Sequence, residues 1–298
     1  MKKKVLVTGG TKNNAIAIAV FIINVKETNP HLVDEIVIFH DGISKEEQLL
    51  MNSVFPCRFI VYKFPNYDPT DFNPIVNEYF SSMVFCKYEC FKLLDEYRIV
   101  IWSDYDVIFL KNLSELLDSC PSGIKMIPYP SDNIENKTEY SVKGSFYNSI
   151  ENIDMTKFDL EKAGVMLSLF VLFDNHKNNH IYYEWCIRKT KEMGRHLYLP
   201  EQAIINLLLQ EYDLDIFNLD YKKYSVHPIY DTVTNETRIL HSYGKYKYWN
   251  EFENDIWKKN YKKWIMIGGS KLKNRSLLYK LYCRLRKIKS YIMDLFRN

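Results

Sequence analysis

Short apolar runs alternate with segments of helical periodicity through the first hundred residues. The runs at 4–8, 35–40, 58–64 and 98–102 predict strands, and the stretches between them predict helices. One of these helices opens at Ser44, where Glu47 completes a capping box, and another is expected near 79–95. Strand–helix–strand alternation predicts an α/β fold with a parallel, doubly wound sheet, in which ligands bind beyond the carboxyl ends of the strands.

The second half of the chain has a less regular pattern. Strands are predicted near 124–128, 163–172, 214–218 and 237–241, and helices near 176–193, near 200–211 and from about 249. Apolar residues then recur at helical spacing from 277 to 296. We therefore expect one domain over 1–265 and a basic amphipathic helix over 270–298.

Charge is distributed unevenly along the chain. Residues 271–298 hold nine Lys or Arg and one Asp, a net of +8, so a total of +3 leaves 3 − 8 = −5 for the rest. An acidic body argues against a nucleic-acid-binding core, and a basic amphipathic helix suits an anionic membrane surface. The alternative is that this helix packs on the body or on a second subunit.

Cysteine spacing and the N-terminal sequence bear on the compartment. The six cysteines form no CxxC pair, the start has no apolar segment typical of a signal peptide, and no apolar run reaches the ~18 residues of a spanning helix. These features predict reduced thiols and a cytoplasmic protein.

Two carboxylates interrupt the apolar run at 99–110, which reads IVIWSDYDVIFL. Asp104 and Asp106 follow a predicted strand, and residues two apart on an extended segment point the same way. Mn²⁺ and Mg²⁺ prefer several oxygen ligands, so the pair is a candidate metal site. The alternative is that the two aspartates cap a turn. A second Asp-x-Asp pair, Asp213 and Asp215, lies just after a predicted helix, where acidic residues are common in turns.

A second candidate segment, ILHSYGKYKYW, covers 239–249. In it His241 offers a nitrogen ligand, Gly244 a backbone free to approach a phosphate, and Lys247 a cation for a leaving diphosphate. Taken singly, each residue also fits an ordinary loop. Together, downstream of Asp-x-Asp, they favour a site that binds a metal and a diphosphate.

These motifs, in this order, resemble glycosyltransferase family 8, whose members are retaining GT-A enzymes that use nucleotide-sugar donors and usually Mn²⁺. WSDYDVIF (102–109) stands where the family has Tyr-Leu-Asp-x-Asp, and HSYGKYKYW (241–249) is similar to His-x-x-Gly-x-x-Lys-Pro-Trp, with Tyr248 in place of proline. FCKYECFKLL (85–94) resembles the family's basic helix, with Lys87 where arginine is usual. KAGVML (162–167) and LPEQAIINLLLQ (199–210) resemble its Asn-Ala-Gly-Val-x-Leu strand and its Asp-Gln-Asp helix.

The resemblance implies a GT-A (Rossmann-like) nucleotide-diphospho-sugar transferase fold and a function. A retaining enzyme would move galactose or glucose from a UDP-sugar to a glycan or glycolipid acceptor in cell-surface polysaccharide or lipopolysaccharide synthesis, on the cytoplasmic face of a bacterial inner membrane. It implies Mn²⁺ or Mg²⁺ on Asp104, Asp106 and His241. It places the donor against Asp104, Tyr105, Lys162, Ala163, Gly164, Gly244 and Lys247. We interpret TGGTKNN, with Thr8 and Gly9, as a loop that contacts the base or the ribose.

The same resemblance assigns catalytic work to three residues. Gln202 would steady the cationic sugar ring, while Glu201 and Lys87 hold sugar hydroxyls. We expect same-face attack, in which a diphosphate oxygen takes the proton of the acceptor hydroxyl. Glu201 as a covalent nucleophile is the alternative.

The sequence departs from the family at three places. Lys162 replaces an asparagine, Ala203 replaces the last acid of Asp-Gln-Asp, and TGGTKNN (8–14) lacks the usual Asp and Tyr. These departures leave the donor sugar and the base open. They also leave two other hypotheses: a sugar nucleotidyltransferase, although Gly9–Lys12 falls short of Gly-x-Gly-Thr-Arg, and a non-catalytic sugar-nucleotide-binding protein on a membrane.

Overall fold

A computed structural model describes residues 3–129, 140–174, 179–244, 246–250 and 254–272. The strands are β1 Lys3–Gly10, β2 Glu35–His40, β3 Cys57–Val61, β4 Tyr97–Ser103, β5 Val107–Phe109, β6 Ile124–Pro128, β7 Val165–Phe173, β8 Phe217–Asn218 and β9 Ile239–His241. The α-helices are α1 Ala15–Thr28, α2 Lys45–Val54, α3 Pro74–Tyr79, α4 Glu89–Leu93, α5 Asn179–Met193, α6 Pro200–Glu211, α7 Tyr221–Tyr224 and α8 Asp255–Met266.

A seven-stranded sheet in the order β3-β2-β1-β4-β7-β6-β8 forms the centre of the molecule. Strands β3, β2, β1 and β4 are parallel, β7 is antiparallel to both β4 and β6, and β8 pairs parallel with β6. A separate two-stranded ladder joins β5 to β9 in antiparallel fashion. The expected α/β fold is confirmed, with β7 as an antiparallel insertion into the predicted parallel sheet.

Side-chain alternation along β1 builds the two faces of the sheet. Val5 and Val7 belong to the apolar cluster that includes residues of α4, α5 and α6, whereas Leu6 belongs to the cluster with α1, α2 and Trp264 of α8. Ten of the fourteen residues of α1 are buried, because this helix lies between the sheet, α2 and α8. Helices therefore cover both faces and leave the carboxyl ends of β1 and β4 at one edge.

Several predicted elements differ from those observed. The strand expected at 58–64 is Cys57–Val61, and the one near 214–218 is two residues long. The helix expected near 79–95 is interrupted, because Ser81 caps a 3₁₀ helix over Ser82–Tyr88 that precedes α4. The helix expected from about 249 begins at Asp255, where the Asn254 side chain accepts a hydrogen bond from the Trp257 amide.

The chain beyond α8 is tied to the body as far as it is described. Ser270 Oγ donates to Glu47 at 2.6 Å, and the Leu272 amide donates to Tyr261 Oη at 2.9 Å. The amphipathic helix expected over 270–298 lies, from residue 273 onward, outside the described residues. Within the described part of the chain, no helix is both long enough and apolar enough to cross a membrane.

Candidate metal and nucleotide-sugar site

The two carboxylates occupy a turn between β4 and β5. Pairing of β4 with β7 ends at Ser103, and the Asp104 amide then donates to the Ser168 carbonyl at 2.9 Å. Strand β5 begins one residue after Asp106 and pairs Val107 with His241 of β9. The β5–β9 ladder therefore places the imidazole beside the acids, although 135 positions (241 − 106) separate His241 from Asp106.

Asp104, Asp106 and His241 form a compact group of ligating atoms. One atom from each lies within 4.8 Å of the others. His241 Nε2 is 3.4 Å from Asp106 Oδ1 and 3.8 Å from Asp104 Oδ2. Two carboxylates and one imidazole suit Mn²⁺ or Mg²⁺, with open positions for phosphate oxygens, so the residues present fit such an ion.

Two lysines neutralise these acids. Lys247 Nζ donates to Asp106 Oδ2 and to the Ser242 carbonyl, the latter at 2.9 Å. Burial alone would raise the pKa of Asp106, but Lys247 and His241 outweigh it and hold that pKa well below its usual range. Asp106 is therefore a carboxylate throughout the neutral pH range.

Lys87 lies on the 3₁₀ helix and joins Asp104 to Glu201. Its Nζ is 2.8 Å from Glu201 Oε1 and 3.4 Å from Asp104 Oδ1. Burial would lower the pKa of this lysine, yet the two carboxylates raise it above its usual value. Burial raises the pKa of Asp104, and the Lys87 charge offsets part of that rise. Lys87 is consequently a buried, permanently charged ammonium.

The start of α6 presents Glu201 and Gln202. Pro200 occupies the first helical turn, where its missing N–H costs nothing. Gln202 Nε2 donates to Tyr129 Oη at 3.0 Å. The Tyr129 amide in turn donates to the Gly164 carbonyl at 2.9 Å, so Gln202 and Gly164 belong to one neighbourhood. Ala203, which replaces a family acid, is completely buried.

The remaining residues of the predicted donor site differ in accessibility. Gly244 has φ +70, a conformation that glycine adopts without strain, and a Cβ there would meet nothing within 4 Å. Gly9 is half-buried, whereas Thr8 is fully buried with a hydroxyl that has no hydrogen-bond partner in the structure. Tyr105 stacks on Trp249 with ring centroids 5.9 Å apart.

Lys162 and Ala163 lie just before β7. Lys162 is exposed; its amide donates to Asp159 Oδ1 at 3.1 Å, and its carbonyl accepts from the Val142 amide at 2.9 Å. Ala163 forms an isolated bridge with Ser141. The pair Asp213 and Asp215 is exposed in the turn after α6, where Asp213 has φ +48.

Three contacts to the site come from residues that the sequence did not single out. Trp102 Nε1 donates to Asp104 Oδ1 at 2.9 Å, Tyr129 contacts Gln202, and Ser225 Oγ is 3.1 Å from His241 Nδ1. Trp102 adjoins the acids in sequence. Tyr129 and Ser225 are isolated polar residues outside any motif, and only the fold brings them to the site.

Comparison with known proteins identifies a family whose model covers most of the chain. The model of the family described as "Glycosyl transferase family 8" matches residues 5–253. No curated protein sequence matches the chain significantly.

Solved structures share the fold at low sequence identity. The apo structure of the bifunctional glycosyltransferase WbbM is 15% identical with a TM-score of 0.64, and it covers 89% of this chain, which spans about half (51%) of that protein. The galactosyltransferase LgtC, solved with donor and acceptor sugar analogues, is 14% identical with a TM-score of 0.57 over 93% of this chain and 99% of its own. GlyE of Streptococcus pneumoniae TIGR4 is 14% identical with a TM-score of 0.57, over 89% of this chain and 63% of its own. The chain thus has the GT-A fold and belongs to glycosyl transferase family 8, a family of glycosyltransferase enzymes.

Proposed function

We propose that this enzyme transfers a hexose, galactose or glucose, from a UDP-sugar to a glycan or glycolipid acceptor with retention of anomeric configuration. The observation that carries the proposal is the group of Asp104, Asp106 and His241 at the carboxyl edge of the sheet, flanked by Lys247 and Lys87. Membership of family 8 and the donor and acceptor analogues bound to LgtC support the same reaction class.

The metal triad would hold Mn²⁺ or Mg²⁺. When bound there, such an ion neutralises the charge that develops on a departing diphosphate. Lys247 supplies a second positive charge from a loop whose Gly244 has a left-handed backbone. Because Lys247 already bonds Asp106, its ammonium lies where a diphosphate oxygen beside that carboxylate can accept from it.

Gln202, Glu201 and Lys87 would act on the sugar. The Gln202 amide donates its N–H to Tyr129, so its carbonyl oxygen is left to face a ring that becomes cationic. Glu201 is engaged by Lys87 at 2.8 Å, which lowers its nucleophilicity and favours same-face attack over a covalent intermediate. In that mechanism a donor phosphate oxygen accepts the proton of the acceptor hydroxyl.

The donor site would extend from the triad to Thr8, Gly9, Tyr105, Lys162, Ala163 and Gly164. Gly9 is half-buried and offers backbone to the donor, and exposed Lys162 offers a cation to a donor substituent. Gly164 is buried and would contribute by keeping the wall of the site free of a side chain. Thr8 is fully buried, so it would contribute by shaping the floor of the site.

A membrane acceptor would account for the basic C-terminal segment. Residues 271–298 carry nine Lys or Arg and one Asp, and each cation near an anionic surface contributes about 1 kcal/mol. We therefore place the enzyme on the cytoplasmic face of a bacterial inner membrane, in cell-surface polysaccharide or lipopolysaccharide synthesis. Deletion of 272–298 should release the protein from anionic vesicles in a sedimentation assay, and undiminished binding would contradict the membrane role.

Donor hydrolysis tests the enzymatic proposal. The full chain with Mn²⁺ should release UDP slowly from UDP-galactose or UDP-glucose, and Asp106→Asn should abolish that release because it removes one charge from the triad. Exposed Asp213→Asn is the matched control, with unchanged turnover expected. Binding of both UDP-sugars without any hydrolysis would indicate a non-catalytic binding protein.

A further inference from the structure

Two buried serines connect the imidazole of His241 to the central sheet. Ser225 is fully buried and its Oγ lies 3.1 Å from His241 Nδ1. Ser168 is 4% exposed, and its Oγ lies 3.1 Å from that of Ser225. The three polar groups form an unbroken row that runs from the site into the protein interior.

Ser168 occupies an irregular part of β7. This nine-residue strand is buried throughout, and Ser168 is the one polar residue in VMLSLFVLF. The pairing of β7 with β6 changes register between Met126, opposite Phe170, and Ile127, opposite Met166. Ser168 lies in the strand segment between these pairs, and such bulges redirect side chains beside functional sites.

Ser168 is linked to both an aspartate and the histidine of the candidate metal site. Its carbonyl accepts a hydrogen bond from the Asp104 amide at 2.9 Å, and its hydroxyl bonds the serine that holds His241. The Val226 carbonyl next to Ser225 also accepts from the His241 amide at 2.9 Å. The end of β4 and the β5–β9 ladder are therefore fastened to β7 at one point.

The ring orientation of His241 follows from these contacts. Its Nε2 faces the carboxylates, 3.4 Å from Asp106, so Nδ1 faces Ser225. An Nε2 lone pair is available to a cation only when Nδ1 carries the proton and donates to Ser225. The Ser225 hydroxyl can then donate to Ser168, which gives each of the three polar groups at least one hydrogen-bond partner.

A hydroxyl is suited to this place because it both donates and accepts. With Nε2 protonated towards Asp106, Ser225 can donate to Nδ1 instead. A carboxylate at this position would accept only, and it would add a third negative charge next to Asp104 and Asp106. The serine pair thus accommodates both neutral tautomers of His241 without a new charge.

We infer that Ser225, supported by Ser168, is a positioning residue that holds the His241 imidazole with Nε2 directed at a divalent cation shared with Asp104 and Asp106. The inference rests on the proposed metal-dependent function. It assigns to two buried serines a role in cation affinity beyond filling the core. A merely structural role would lower the stability of the protein and leave that affinity unchanged.

Direct metal titration tests the inference without any acceptor. Mn²⁺ binding to the full chain, with and without UDP, is measured by the EPR signal of free Mn²⁺. Ser225→Ala should weaken Mn²⁺ binding about 10–100-fold, the usual effect of losing such an outer contact. Ser225→Thr keeps the hydroxyl and should bind within a few-fold of the wild type, and Ser168→Ala should show an intermediate loss.

Thr190→Val is the matched control. Thr190 is fully buried on α5, and its hydroxyl bonds Tyr88 at 3.0 Å, so this variant also loses a buried hydroxyl pair. It should lower the melting temperature and leave Mn²⁺ affinity as in the wild type. Should Ser225→Ala fail to fold, Ser225→Cys and Ser168→Ala make the same comparison.

NMR of ¹⁵N-histidine-labelled protein provides a second readout. On addition of diamagnetic Mg²⁺ at fixed pH, the His241 nitrogens of the wild type should shift to the pattern of the Nδ1–H tautomer, and those of Ser225→Ala should shift incompletely. Equal Mn²⁺ affinity and equal tautomer shifts in both proteins would overturn the inference and leave the proposed function intact. Absence of Mn²⁺ binding by the wild type, with and without UDP, would overturn both.

Discussion

Removal of the Lys87 charge should cost more stability than removal of any exposed cation. The Lys87 side chain is only 9% exposed, its ammonium lies 2.8 Å from Glu201 and 3.4 Å from Asp104, and it stands 5.5 Å from the centre of the Trp102 ring. Lys87→Met keeps the length and most of the apolar stem but leaves two carboxylates in a poorly hydrated place without their cation. Breaking a buried ion pair in this way costs about 3–5 kcal/mol.

For a chain of this size, about 2–4 °C of melting temperature corresponds to each kcal/mol, so Lys87→Met should melt about 10 °C lower at pH 7. The free energy of unfolding from urea titration gives the loss directly. The loss should shrink as the pH falls towards 5. Burial already raises the pKa of Asp104, and loss of the Lys87 charge raises it further above the unfolded value, so protonation favours the folded variant.

Two further variants test whether the stability lost in Lys87→Met comes from buried, unpaired carboxylates. Lys87→Met/Glu201→Gln removes one orphaned charge as well and should regain part of the stability. Lys157→Met breaks a pair with Glu211 in which the lysine side chain is 64% exposed, and it should cost under about 1 kcal/mol. If Lys87→Met costs no more than Lys157→Met, the buried-charge reasoning for this site is wrong.

Three other perturbations address neighbouring features. Lys247→Met frees an oxygen of Asp106, so calorimetry should show Mn²⁺ alone binding several-fold tighter than to the wild type. UDP should bind about tenfold more weakly, because the variant loses a charged hydrogen bond to the diphosphate. Weaker Mn²⁺ binding would contradict this reasoning. Gly9→Ala places a Cβ 2.4 Å from Cys86 Sγ and should cost about 1–3 kcal/mol in urea unfolding, whereas Gly9→Ala/Cys86→Ala should be more stable than Gly9→Ala. Burial lowers the pKa of His227 to about 4. The neutral imidazole therefore contributes up to about 3 kcal/mol to the free energy of unfolding above pH 6.5, and this contribution is lost as the pH falls towards 4. Over that interval the free energy of unfolding of His227→Gln should fall less than that of the wild type.

Sequence reasoning succeeds where one local pattern determines the structure. The apolar runs that became β1 and β2 are short, rich in Val and Ile, and bounded by polar residues or glycine, which is typical of buried parallel strands. The strand-end rule placed Asp104 and Asp106 at the edge of the sheet where ligands bind. That His241 shares a metal ion with them was implied by the resemblance to family 8, because β9 lies outside the parallel sheet to which that rule applies.

Features set by tertiary contacts could not be predicted in this way. Alternating apolar runs predict strands but carry no information on direction, so the antiparallel course of β7 was missed, together with its bulge at Ser168. The 3₁₀ helix that carries Lys87 places its ammonium between two acids, and one of these, Glu201, is 114 positions away in the sequence. The local pattern around Lys87 contains no information on that contact. Ser225 resembles any loop serine in sequence, and its function as a contact of His241 depends on the β5–β9 ladder.

The charges of the site argue for joint binding of metal and nucleotide. Asp104, Asp106 and Glu201 face Lys87 and Lys247, which leaves one net negative charge among these five side chains. A divalent cation alone reverses this to a net positive charge, and a diphosphate alone adds at least two negative charges, so each ligand lessens the imbalance that the other creates. By linkage, UDP must tighten Mn²⁺ binding by the same factor by which Mn²⁺ tightens UDP binding. Calorimetric titrations of each ligand with and without the other should give equal factors well above one, and independent affinities would mean that these five charges do not act as one site.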